Sequence, residues 1–178
     1  QRSLVGSEMC IRDRGQSGAG KTTLLNILGG MDVPTSGQIL VDGNDITKYS
    51  KKQLIGYRRT DIGFVFQFYN LVPNLTAREN LLLMCGVHGL PRQESLARVE
   101  ELARTLGLEP VLARRAGKLS GGWQRRLSIA MALIARPEIL FLDEPTLGLD
   151  VLARAELWDV IRALKGRITV ILTTHYME

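Results

Sequence analysis

Beyond residue 20 the apolar positions follow two rhythms. Leu24, Leu25, Ile27 and Leu28 sit at the spacing of a short helix that starts at Lys21 and stops at Gly29-Gly30 in the manner of a left-handed cap. Turn residues DVPTSG follow, and QILVDG (38–43) then alternates as a strand does. IGFVF (62–66) is a second short apolar strand, broken by NLVPN (70–74). Thr76 and Glu79 form an S/T-x-x-E capping box ahead of NLLLMCGVHG, so a helix starts there and ends near Gly89-Leu90-Pro91. A longer helix follows Pro91, with Leu96, Val99, Leu102 and Leu106 repeating at helical spacing and Gly107 at its end. After Ser120-Gly121-Gly122 a third helix carries Leu127, Ile129, Ala130, Leu133 and Ile134 and is stopped by Pro137. EILFLD (138–143) reads as a strand buried on both faces. Ala153, Leu157, Val160, Ile161 and Leu164 mark one more amphipathic helix before RITVILTTH (167–175), the last buried strand.

Strand and helix, a block of helices, then strand, helix and strand predict an α/β fold with an inserted helical lobe. A chain of 178 residues has room for one such domain. No apolar run approaches the roughly 18 residues of a membrane span. Lys and Arg outnumber Asp and Glu by 23 to 18, a net +5, with basic pairs at Arg58-Arg59, Arg114-Arg115 and Arg125-Arg126. This balance suits an anionic ligand or a membrane-facing surface, and Arg125-Arg126 reads as helix surface. Basic residues interleaved with aromatics, as nucleic-acid binding would need, do not occur, so no nucleic-acid partner is expected. Cys10 and Cys85 have no metal-ligand spacing and make no disulfide framework, and His88 belongs to no motif.

The chemistry begins at Gly15-Gln16-Ser17-Gly18-Ala19-Gly20-Lys21-Thr22, which satisfies G-x-x-x-x-G-K-[ST]. Glycines let backbone N–H groups close around phosphates, and the following helix N-terminus adds partial positive charge. Lys21 would reach the β- and γ-phosphates, Thr22 would ligate Mg²⁺, and Thr23 would lie near the α-phosphate. At the end of its apolar strand Asp143 can reach Mg²⁺ directly or through water, and Glu144 can orient or deprotonate an attacking water. Ser120, Gly121 and Gly122 open a helix with a hydroxyl and bare N–H groups, a second phosphate-binding surface. One nucleotide in one small domain cannot use both surfaces, so the second would serve another subunit.

The ordered set GQSGAGKTT, Gln67 after an apolar strand, LSGG, LFLDEP, Asp150 in LGLD and His175 after the final strand resembles the ATP-binding cassette (ABC) family of transporter ATPases. The resemblance implies a P-loop NTPase, RecA-like core with a parallel sheet and an inserted α-helical subdomain. It implies a core of residues 15–67 and 137–178 around a subdomain of about 68–136. It implies ATP and Mg²⁺ as ligands, a head-to-tail dimer with a second ATP-binding subunit, and a transmembrane permease partner at the cytoplasmic face of the cell membrane. Each ATP would be clamped by Lys21 and Thr22 of one subunit and Ser120 to Gly122 of the other. Gln67 would bind Mg²⁺ or water and couple to the permease, Glu144 would be the catalytic base, His175 would contact the γ-phosphate, and Asp150 would link the two sites.

The sequence also departs from the family pattern. Trp123 occupies the signature position usually held by Gln, with Gln124 after it. Residues 1–14 resemble a leader foreign to the domain, and SEMCIRDR sets Met9, Cys10 and Ile11 among four charges, too few apolar residues for a strand in the sheet centre. GFVFQFYNLVPNLTAREN (63–80) resembles the lipoprotein-release and macrolide-exporter branch, and GWQRRLSIAMALI and LTTHYME resemble the drug-exporter branch, which implies a join near residues 80–90. Two other readings stay open on sequence: a catalytically incompetent cassette, and a non-transport ATPase of the same family.

Overall fold

The structure is a computed structural model that describes the backbone of residues 10–14 and, in full, residues 20–164 and 166–174. Four parallel strands form its sheet: β1 (Cys10–Arg14), β4 (Ile62–Val65), β5 (Ile139–Leu142) and β6 (Thr169–Thr174), in the order β1-β6-β5-β4. Between β1 and β4 come α1 (Lys21–Leu28), the hairpin strands β2 (Leu40–Val41) and β3 (Asn44–Asp45), and α2 (Lys51–Thr60). Between β4 and β5 lie α3 (Ala77–Val87), α4 (Arg92–Leu106) and α5 (Gly121–Ala132), and α6 (Val151–Leu164) joins β5 to β6.

The strands alternate cleanly between two apolar layers. Leu140, Leu142, Val170, Leu172 and Val65 pack into the large core beneath α3 to α6, and Ile139, Phe141, Ile171 and Ile62 face a smaller core built from Leu25, Ile46 and Tyr57. This is the pleat period of two acting on continuously apolar strands, each face covered by helices. The Thr76–Glu79 capping box forms as expected, with reciprocal bonds of 2.7 and 3.2 Å, and Gly107 ends α4 in the left-handed conformation.

Three elements differ from the sequence reading. The Cys10–Arg14 segment pairs parallel with Val170–Thr174, residue for residue. Among the described residues it is the outermost strand of the sheet, laddered to β6, although the sequence offers it few apolar residues. Helix α2 has little apolar periodicity; its start is fixed instead by a Ser50–Gln53 capping box. In α4 Leu96 points outward, 42 % exposed, while Ser95 and Arg98 take the buried face. There the Arg98 guanidinium donates to the carbonyls of Leu133 and Ile134 and caps the end of α5.

Candidate functional site

Because all four strands run parallel, their carboxyl ends share one edge of the sheet, the place where open α/β folds bind ligands. In sequence the phosphate-loop segment comes after β1, Gln67 follows β4 by two residues, and Asp143-Glu144 follows β5. His175 comes directly after β6 in sequence; it and Gly15, Gln16, Ser17, Gly18 and Ala19 lie outside the described residues. Gly20 stands at the N-cap of α1.

Lys21 and Thr22, on the first turn of α1, reach across the sheet edge to residues about 120 positions later. The Thr22 hydroxyl lies 3.2 Å from Asp143 Oδ2 and donates to it, and Lys21 Nζ lies 4.0 Å from Glu144 Oε1. Both members of that ion pair are almost fully buried, so each charge compensates the desolvation of the other. Thr23 is exposed on the same turn.

The two acids are held by a residue that the sequence reading did not single out. Thr173 on β6 accepts a hydrogen bond from the Glu144 amide at 3.1 Å and donates its hydroxyl to Asp143 Oδ1 at 2.7 Å. Asp143 Oδ1 is thereby turned toward β6, and Oδ2 faces Thr22. The Asp143 amide in turn donates to the Val65 carbonyl at 2.9 Å, which ties the acidic turn to the end of β4. Glu144 has φ +48°, a left-handed conformation rarely adopted by a residue of this type, and its anchored amide fixes that turn. The available signal was the pair Thr173-Thr174 at the carboxyl end of a strand whose middle is aliphatic.

Ser120 precedes α5 in an extended conformation, and its hydroxyl caps nothing in its own helix. Gly121 and Gly122 serve packing as well: an added Cβ at Gly121 would sit 3.2 Å from Leu149 and from the Tyr69 hydroxyl, and one at Gly122 would sit 3.1 Å from Ala153. The signature segment therefore leans on the Gln67 segment and on the chain after Glu144. Asp150 caps α6, accepting from the Ala153 amide at 2.8 Å. Trp123 stacks against Arg126, whose guanidinium carbon lies 4.9 Å from the ring centroid.

The pair Arg125-Arg126 is not all helix surface. Arg125 is 1 % exposed and donates to the carbonyl oxygens of Phe66 at 2.7 Å and Gln67 at 3.0 Å, with its guanidinium carbon 4.7 Å from the Tyr69 ring centroid. Burial lowers its pKa, opposed by the charges of Tyr69 and Asp143. A helical position of 3.6 periodicity reports a face, and only the returning β4 segment makes this face an inner one.

Residues 12–147 match the family model described as ABC transporter. The chain is 42 % identical over 163 residues to the lipoprotein-releasing system ATP-binding protein LolD of Syntrophus aciditrophicus, covering 90 % of this chain and 73 % of that protein. It is 44 % identical over 162 residues to the macrolide export ATP-binding/permease protein MacB of Neisseria gonorrhoeae, of which it spans 25 %. A dimeric ATP-binding cassette solved in a post-hydrolysis state with ADP and Pi superposes with a TM-score of 0.81 at 35 % identity, covering 94 % of this chain and 75 % of that one. The fold, the acidic pair behind β5 and these matches agree: the chain belongs to the ABC transporter family as an ATP-binding, ATP-hydrolysing subunit.

Proposed function

We propose that ATP is bound and cleaved at the carboxyl edge of the sheet with Lys21, Thr22, Asp143 and Glu144 as the central residues, and that the work is delivered to a membrane permease. The observation that carries this reading is the meeting of Lys21-Thr22 with Asp143-Glu144, with Thr22 and Asp143 separated by 121 positions in sequence. The phosphate segment Gly15 to Thr22 would wrap the β- and γ-phosphates with backbone N–H groups, Thr23 would approach the α-phosphate, and the Lys21 ammonium would exchange its carboxylate partner for phosphate oxygens. Glu144, released from Lys21, takes a proton from a water whose oxygen attacks the γ-phosphorus as the bond to ADP breaks. Gln67 and His175 would flank that γ-phosphate from the ends of β4 and β6.

The donor set also fits Mg²⁺. The Thr22 hydroxyl and Asp143 Oδ2 are hard oxygen donors 3.2 Å apart, and adjacent ligands of an octahedral shell at about 2.1 Å are separated by about 3 Å. Thr22, Asp143 and, directly or through water, Gln67 would hold the ion, which supplies charge neutralisation at the phosphates.

Ser120, Gly121 and Gly122 would complete the site of a second ATP-binding subunit in a head-to-tail dimer, with Asp150 at the junction of the two sites. The Ser120 hydroxyl, which caps nothing in its own helix, supports this, as does the dimeric state of the cassette to which the chain is similar. No described helix is long and apolar enough to cross a membrane, and we place the subunit at the cytoplasmic face, held there by its permease. The helical block of about 68–136, inserted into the core at 15–67 and 137–178, is the element that carries this coupling.

Glu144→Gln tests the assignment. The amide cannot accept the proton, so turnover should fall about 10²- to 10⁴-fold while ATP binding persists and an ATP-bound dimer accumulates. Near-normal turnover by this variant would remove Glu144 from the base role.

A further inference from the structure

Arg125 stands out as the largest side chain with almost no exposure. A guanidinium is costly to desolvate, and its hydrogen-bond partners among the described residues are main-chain carbonyls rather than a carboxylate. If the position needed only volume, an uncharged side chain would fill it. What the guanidinium supplies beyond volume is a rigid planar fork, which fixes two successive carbonyls at once, while stacking on Tyr69 holds the plane of the fork.

The carbonyls it holds are those of Phe66 and Gln67, where the chain leaves β4 beside Asp143. Arg125 itself lies on the first turns of α5, the helix that starts at Gly121 behind Ser120. Packing of Gly121 against the Tyr69 hydroxyl brings the same two segments together a second time. We infer that Arg125 is a positioning residue for Gln67: its fork fastens the Phe66–Gln67 main chain to α5, so that Gln67 and the Ser120–Gly122 segment are held in one constant relation. This rests on the proposed role of Gln67 at the nucleotide. The physical consequence is that Gln67 is aimed by the inserted helices as well as by the sheet, and a shift of α5 carries Gln67 with it. A side chain misplaced by about 1 Å at a reacting centre can lower a rate by about a hundredfold, so the contact has kinetic weight.

The test pairs Arg125→Met and Arg125→Lys with Gln67→Ala in the chain. Methionine fills the space without donors, and lysine keeps the charge and stem without the fork. Two readouts are taken. Without nucleotide, hydrogen exchange of the 66–70 amides should quicken in both Arg125 variants while α3 (Ala77–Val87) keeps its protection; unchanged exchange at 66–70 overturns the inference. With Mg-ATP, Arg125→Met should lower kcat about tenfold or more and shift the ATP affinity less than about threefold, and in the Gln67→Ala background the same change should lower kcat less than about twofold. Fully multiplying effects overturn the inference and leave the role of Gln67 intact, whereas an inert Gln67→Ala removes both. If Arg125→Met loses its cooperative unfolding transition, Arg125→Lys carries the cycle with the same expectations.

Discussion

Two glycine-to-alanine substitutions that look equivalent in the sequence should have opposite effects. Gly63 lies in β4, and an added Cβ would stand 2.6 Å from the carbonyl oxygen of Ala132, 3.1 Å from Leu140 Cδ1 and 3.2 Å from Pro137 Cγ. Carbon and oxygen settle at about 3.3 Å or more, so roughly 0.7 Å of room is lacking. The obstacle is backbone at the end of α5, and β4 is itself held by its ladder with β5, so neither side yields as a flexible side chain would. Overpacking a core costs about 1–3 kcal/mol, and the backbone contact puts Gly63→Ala at the upper end, about 3 kcal/mol. For a chain of this length each kcal/mol moves the melting point by about 2–4 °C, so a fall of about 6–12 °C is expected. Gly56 lies inside α2 with no atom within 4 Å of an added Cβ, and alanine there gains about 0.5–1 kcal/mol of helix propensity. Gly56→Ala should therefore raise the transition by about 1–4 °C. Thermal unfolding followed by circular dichroism, with urea titration as a second measure, decides the matter. A Gly63→Ala protein melting within about 2 °C of the parent would refute the close approach of α5 to β4, and a Gly56→Ala protein destabilised as much as Gly63→Ala would refute the open surroundings of Gly56 in α2.

Mixing a Ser120→Arg subunit with a Lys21→Ala subunit puts both defects into one composite site and leaves the other whole. ATPase activity should return in part, and no recovery at concentrations where dimers form would count against shared sites. Tyr57 donates its hydroxyl to the Leu28 carbonyl at 3.1 Å, and burial raises its pKa well above the usual tyrosine value. Its contribution is therefore complete below about pH 10, where the unfolded phenol is still neutral, and is lost as pH climbs beyond that. Tyr57→Phe should cost about 0.5–1.5 kcal/mol at neutral pH but lose stability less steeply above pH 10; parallel urea-denaturation curves for the two proteins would refute this.

What could be read directly from the chain was whatever depends on neighbours in sequence. A capping box, prolines and terminal glycines place α3 and α4 to within a residue or two, since a helix end is satisfied by groups a few positions away, and apolar spacing alone places α6; α5 begins at the glycines as expected but ends at Ala132, five residues short of Pro137. Motif spacing likewise singled out Lys21, Thr22, Asp143 and Glu144, because phosphate and metal chemistry demands those residue types. Strand order is another matter. β6 enters between β1 and β5, and only that pairing brings Thr173 to the acidic turn and sets Thr22 beside Asp143. The pairing of β1 with β6, the inward turn of Arg125, the outward turn of Leu96 and the tight fit at Gly63 follow from the same long-range contacts. Local rules say which face of a helix or strand is apolar or charged; what that face meets is fixed by segments tens of residues away, and so it was decided by the tertiary structure alone.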